Sequence, residues 1–285
     1  MTAPGAGRGA VLMWLCLAVL VLASCADDSD GKDSASSSEG PTGTPRQSPS
    51  GAAQGASFTV DGRELLLDCT GEGAPTMVLE VGEGAPRQAL SGIGDAYRSQ
   101  VRVCSYERAS TDRNIVSDLH GLLEAAHVPG PYLLVGHSAG GLLVQAYAAA
   151  YPDETAGVVA INPVPAWQAW STLAFNEMTS RERKDEAAYY GGANGESLDY
   201  RDISRLIAES PAPRTIPLHV LISTAAQCDS PKDICARTYP AYEQISRAVA
   251  RRWGEGRFSE VEAPHEIPVA DVQPAIDDVI SRARQ

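Results

Sequence analysis

The chain has 285 residues and a formal net charge of −13, from 36 acidic against 23 basic side chains. Such an excess excludes a nucleic-acid partner, which needs a basic face, and gives anionic lipid headgroups no electrostatic attraction. Hydrophobic residues make up 44 %, enough for a packed core, so stretches that lack them stand out.

At the N-terminus, Arg8 is the lone charge ahead of an apolar run, residues 10–23 (AVLMWLCLAVLVLA). The run is too short for a comfortable membrane span and has the make-up of an export signal. It ends in Leu22-Ala23-Ser24-Cys25. Small residues before a cysteine resemble the lipobox of bacterial lipoproteins. That implies a signal peptide over 1–24, an acylated Cys25, and attachment to the outer side of the cell membrane through that lipid. The alternatives are an ordinary signal peptide with a nearby cysteine, or an uncleaved anchor. The rest of the segment 25–56 is Ser, Gly, Asp, Pro and Thr with almost nothing to bury. It reads as a disordered tether. Residues 57–285 are then the size of one α/β domain with a full core.

Within that domain, residues 63–69 (RELLLDC) read as a strand, with Asp61-Gly62 as a hairpin signal before it. Residues 77–81 and 101–106 read as two more strands. Ile115, Leu119, Leu122, Leu123 and Ala126 follow helical spacing after Thr111-Asp112 as a cap. Tyr132-Leu133-Leu134-Val135 is a buried strand that runs into Gly136-His137-Ser138-Ala139-Gly140, a G-x-S-x-G pentapeptide, and residues 142–148 then read as a helix that Pro152 stops. That is the strand–turn–helix setting of a nucleophile elbow. The turn forces the serine into strained backbone, and a side chain at either glycine would strike the neighbouring strand or helix.

Residues 157–161 form another buried strand. Between it and the strand at 218–223, residues 163–216 change character, with Trp167, Trp170, Phe175 and a charge run at 181–186. The stretch reads as a helical cap insertion, the charge run being a solvated helix face. A helix at 239–253, a strand at 258–261 and a helix at 269–283 complete the chain. Strands alternating with helices mean a mostly parallel sheet covered on both faces.

Six cysteines are present. Cys16 leaves with the signal and Cys25 carries lipid, so Cys69, Cys104, Cys228 and Cys235 remain, an even number that suggests two disulfides in an exported chain. Their spacings match no common zinc site, and residues alone leave the pairing open.

The segments 67–84 (LDCTGEGAPTMVLEVGEG), 101–109 (VRVCSYERA), 118–143, 151–163 (YPDETAGVVAINP) and 263–268 (APHEIP) together resemble the α/β-hydrolase superfamily. The likeness is to exported bacterial hydrolases with a short helical cap. It covers nearly all of residues 57–285, the cap excepted. The likeness implies a mostly parallel α/β-hydrolase sheet flanked by helices, with the strand holding Cys69 beside that holding Cys104. It therefore implies the bridges Cys69–Cys104 and Cys228–Cys235.

The superfamily's chain order is nucleophile, acid, histidine. Ser138 is the nucleophile it implies, and His265, just past the last strand, is the base. His120 and His127 belong to a helix, His137 lies inside the elbow, and His219 begins a buried strand. The acid should follow the strand 218–223, where Asp229 and Asp233 stand. Asp229, beside Cys228, is preferred. Asn162 occupies a position that serves some relatives as the acid, but an amide does not stabilise an imidazolium.

The oxyanion hole implied is the backbone N–H of Glu83 and that of Ala139. Two departures stand out. Glu83 replaces an apolar residue, so its side chain should turn outward, and residues 107–112 shorten a loop that usually carries glycine. The expectation is a lipid-anchored serine hydrolase that cleaves a small carboxylic ester with no cofactor or metal. Alternatives are an amidase or peptidase on the same scaffold, or a catalytically silent surface lipoprotein that binds a ligand or partner.

Overall fold

The computed structural model describes residues 55–108, 115–230 and 232–284. The expected signal peptide, Cys25 and nearly all of the tether lie outside the described residues, as do Thr111-Asp112 and most of the shortened loop. No helix among the described residues is long and apolar enough to cross a membrane.

Eight strands form one sheet in the order β1-β2-β4-β3-β5-β6-β7-β8. The first is β1 (Ala56–Val60), which turns into β2 (Arg63–Thr70) through Asp61 and Gly62, both at positive φ. Positive φ at both central residues is what a tight hairpin with right-handed strand twist requires. Strand β2 is also antiparallel to β4 (Val103–Tyr106), and the register sets Cys69 opposite Cys104, with which it forms a disulfide. The remaining strands run parallel: β3 (Thr76–Glu80), β5 (Tyr132–His137), β6 (Thr155–Ile161), β7 (Leu218–Ser223) and β8 (Gly256–Val261).

Alternation along these strands feeds two cores. Val78, Leu134 and Val158 pack with Leu119, Leu122, Tyr147 and Ala250 on one face. There lie α2 (Ile115–Ala125), α3 (Ala139–Ala150) and α7 (Ile234–Arg252). Met77, Leu79, Val135 and Val159 point the other way, onto α1 (Ser91–Tyr97) and α8 (Val269–Ala283). Both faces are buried, which is why these strands read as unbroken apolar runs.

Between β6 and β7 the chain makes α4 (Trp167–Leu173), α5 (Ser180–Tyr190) and α6 (Tyr200–Glu209). A third apolar cluster joins them to α3 through Trp170, Tyr190, Tyr200, Leu142 and Leu143. Helix α5 holds the charge run. Thr179 and Glu182 close a reciprocal capping box at its start, and Arg181 and Asp185 face solvent.

Two differences from the expected elements have local causes. Helix α1 has weak sequence signals because Gly92 and Gly94 fall within seven residues. Helix α7 begins before the expected position because Asp233 caps it and Pro240 is accommodated inside.

The second disulfide, Cys228–Cys235, closes a loop of sequence separation 7 against 35 for Cys69–Cys104. Replacing both Cys69 and Cys104 by Ser should lower unfolding free energy by roughly 2–4 kcal/mol, and opening the shorter loop should cost less. Denaturant titration of the two double variants checks the ranking.

Candidate active site

The turn from β5 into α3 is held from several sides. Ser138 has φ 56° and ψ −119°, a region that non-glycine residues avoid. Its N–H donates to the Ile161 carbonyl at 2.9 Å, and its own carbonyl accepts from Gly141 and Val164 at 3.0 Å each. The flanking glycines leave no room for substitution. A Cβ on Gly136 would lie 2.2 Å from the Gly140 carbonyl oxygen, and one on Gly140 would lie 2.2 Å from that of Glu80.

Two cavities share Ser138 and His265 as a common wall. One, of about 370 Å³, is lined by Leu90, Ile93, Ile161, Val269 and Val272 with Gly82 and Glu83 at its edge. The other, of about 220 Å³, lies between the 163–165 turn, Trp170 of the insertion and Tyr239 and Tyr242 of α7. The smaller is largely apolar and the larger mixes apolar walls with Glu83, His137 and Glu266, the serine and the histidine standing where the two meet.

His265 sits in the loop between β8 and α8, and that loop is fastened through its backbone. The buried Asn162 amide donates to the His265 carbonyl at 2.8 Å and to Ser223 Oγ at 2.9 Å, and its oxygen accepts from the Ser223 N–H at 2.7 Å. Ser223 Oγ in turn donates to the Pro264 carbonyl at 2.8 Å. His137 Nε2 also lies 2.9 Å from the His265 carbonyl, and the two imidazoles are 4.8 Å apart. Asn162, Ser223 and His137 thus form a scaffold at the ends of β6, β7 and β5 for the histidine loop. The sequence signal for it is faint: a polar residue at the C-terminal end of each of three buried strands.

The expected acid is not brought to this histidine. Asp229 is exposed and hydrogen-bonded to nothing among the described residues, while Gln227 on the same loop lines the smaller cavity. The disulfide and a short 3₁₀ turn at Ala225–Gln227 set this corner. Asp233 is spent as the α7 cap, accepting from Ala236 and Ser230 N–H at 2.8 and 2.9 Å. No carboxylate among the described residues hydrogen-bonds the His265 ring. Burial by the cavity walls, with the neighbouring His137, therefore pushes the imidazole below its ordinary value of 6.5, against the opposing charge of Glu266. The other expected exclusions are engaged elsewhere: His120 with Glu154, His219 with Asp278 and Ser259.

Ala139 opens α3, whose first N–H groups have no intrahelical partner. Glu83 lies in the loop after β3. Its carboxylate is held by the insertion, accepting from Tyr189 and Tyr200 hydroxyls at 2.7 and 2.8 Å and from the Gly195 N–H at 2.7 Å. The one trio of metal-capable side chains found among the described residues is Cys228, Asp233 and Cys235, within 4.8 Å of one another. Both of its sulfurs are consumed in the disulfide.

Residues 88–184 match a family model described as the alpha/beta hydrolase fold. No curated protein matches the chain. Similar solved structures include an esterase from Thermogutta terrifontis, with 17 % identity and TM-score 0.52 over 81 % of this chain and 98 % of that one. An enol-lactonase from Burkholderia xenovorans has 17 % identity and TM-score 0.54, covering 81 % and 100 %. A monoacylglycerol lipase from Paleococcus ferrophilus has 18 % identity and TM-score 0.55, covering 77 % and 100 %. The fold is that of the α/β hydrolases.

An NMR titration of the histidine rings, with His265 assigned through its alanine variant, should give His265 a midpoint below 6.5. That midpoint should not move in Asp229→Asn. A midpoint above 6.5 that falls in this variant would show that the aspartate reaches the ring in solution.

Proposed function

We propose that this protein is a serine hydrolase that cleaves carboxylic esters through an acyl-enzyme. The carrying observation is the backbone of Ser138, kept at φ 56° and ψ −119° where two cavities meet beside His265. Strain of this kind persists only where the surroundings enforce it, and here they present one hydroxyl to a space that could hold both branches of an ester. A fold shared with an esterase, an enol-lactonase and a lipase is in keeping with an ester as substrate.

In this reading Ser138 Oγ attacks the ester carbonyl as its proton passes to His265. The resulting oxyanion lies against the N–H groups of Glu83 and Ala139. Collapse of the tetrahedral species breaks the bond to the leaving alcohol, which takes the proton from His265. Water repeats the sequence on the acyl-enzyme. The lowered histidine pKa leaves the ring neutral and free to accept the proton at pH 7, while making it a weaker base than a carboxylate-paired imidazole. The chemistry uses no cofactor or metal. We further propose that export and acylation of Cys25 place the enzyme on the outer side of the cell membrane, with the segment up to residue 56 as tether.

One observation favours a second reading, a silent surface protein that binds a ligand in the same cavities: the His265 ring has no carboxylate partner among the described residues. Reaction with a fluorophosphonate probe separates the two. The hydrolase labels at Ser138, hydrolyses short-chain p-nitrophenyl esters, and loses turnover by roughly 10³-fold or more in Ser138→Ala without loss of fold. A wild-type protein that neither labels nor turns over would leave the binding reading. His265→Ala combined with Ser138→Ala should be little worse than either alone, since paired groups act as a unit.

A further inference from the structure

The loop after β3, which supplies the proposed Glu83 donor, is underpinned by a buried ion cluster that the hydrolase mechanism does not itself use. Arg108 and Glu80 have side-chain exposures of 4 % and 1 %, and Glu196 of the insertion 14 %. A guanidinium has five N–H donors, and Arg108 makes five hydrogen bonds. Nη1 donates to Glu80 Oε1 at 2.5 Å and to the Val81 carbonyl at 2.7 Å. Nη2 donates to the Gly82 carbonyl at 2.8 Å and to Glu196 Oε1 at 2.7 Å, and Nε to Glu196 Oε2 at 2.8 Å. Tyr106 donates to the other oxygen of Glu80.

The Gly82 carbonyl and the Glu83 N–H belong to one peptide unit, and cis bonds among the described residues occur only before Pro75 and Pro131. In a trans unit the C=O and N–H point in opposite directions. An arginine that fixes the Gly82 oxygen therefore fixes the direction of the Glu83 N–H, on the side away from itself. Gly82 abuts the proposed nucleophile, for a Cβ placed on it would lie 3.3 Å from Ser138 Cβ. The following residue is fixed too, because the Gly84 N–H donates to Glu196 Oε1 at 2.5 Å.

Resting on the hydrolase reading, we propose that Arg108 is a positioning residue: it aims the Glu83 N–H at the oxyanion, and Glu196 ties that aim to the helical insertion. Two carboxylates, Glu80 and Glu196, flank its single positive charge, and its planar fork spans two successive carbonyls of the loop. A lysine has three donors on a point charge and cannot hold both carbonyls and both carboxylates. The insertion is then more than a cover for the site. Through Glu196, and through the three bonds to the Glu83 carboxylate, its placement sets the geometry of the loop that receives developing charge.

The test compares wild type, Arg108→Lys and Glu196→Gln with a short-chain p-nitrophenyl ester and a trifluoromethyl ketone. The ketone's serine adduct carries the same oxyanion. Removing one oxyanion donor typically lowers kcat by 10²–10³-fold. Arg108→Lys is expected to lower kcat by about 100-fold, with KM changed by less than about threefold. Ketone affinity should fall in proportion to kcat/KM. Glu196→Gln, which leaves Arg108 in place, should lower kcat by about tenfold with the same split. Circular dichroism and melting curves count the folded protein, so that a merely structural role would show a lower Tm with unchanged kcat per folded molecule. That result, or a loss confined to KM, overturns the proposal. If Arg108→Lys fails to fold, Glu196→Gln decides alone. A wild type inert to ester and ketone overturns the hydrolase reading instead, whereas an active wild type with indifferent variants overturns only the role of Arg108.

Discussion

Helix α3 comes so close to strand β3 that a methyl group on Gly140 would sit 2.2 Å from the Glu80 carbonyl oxygen. It comes equally close to β5, where Gly136 meets the Gly140 carbonyl. Only a chain without Cβ atoms at both places allows that approach. Once α3 is there, the connection from β5 has no room for an ordinary turn, and Ser138 takes up a strained one. The same approach brings the end of β3 beside the serine, so that Gly82, Glu83 and Ala85 line the larger cavity. The geometry of the serine and that of the loop facing it are two results of one packing distance.

That distance also explains why charge is buried beneath the site. A loop of two glycines and one acid, Gly82-Glu83-Gly84, has little apolar surface with which to hold its own shape. Polar contacts do it instead: Arg108 on two carbonyls, Glu196 on the Gly84 N–H, and three donors of the insertion on Glu83. Burying an arginine between two glutamates carries a large desolvation cost, and apolar packing of the same volume is often as stable. A cluster kept in spite of this cost is better accounted for by geometry than by stability.

Elements with strong periodicity were legible in the sequence. The apolar strands, the Asp61-Gly62 hairpin, the elbow at Ser138 and helix α8 each follow from local spacing or turn chemistry. What could not be read depends on contacts between distant segments. Arg108 and Glu196 are far apart in sequence and carry no motif, though a charged residue in a mostly apolar strand, as at Glu80, is a signal that something must neutralise it. The disulfide partners required the sheet order, and the implied pairing is the one present. Asp229 has a place after β7 that suits an acid, yet it is exposed, on a corner shaped by a 3₁₀ turn and a bridge that no spacing rule describes. The pull of Asp233 toward capping α7 is by contrast an ordinary local preference of aspartate before a helix.

The histidine and the proposed oxyanion loop are supported in contrasting ways, and the contrast bears on how the proposed reaction would be driven. His265 is held through its carbonyl by Asn162 and His137, which fixes where the ring hangs but contributes no negative charge to it. Proton transfer to an imidazole of lowered pKa is less favourable than to one paired with a carboxylate, so less of the stabilisation of the tetrahedral state can come from the imidazolium. The remainder falls to groups that act on the oxyanion, and their effect depends on fixed direction more than on number. A site with a weakly supported base therefore needs a rigid oxyanion loop. Burying three charged side chains under residues 81–84 is a means of obtaining one.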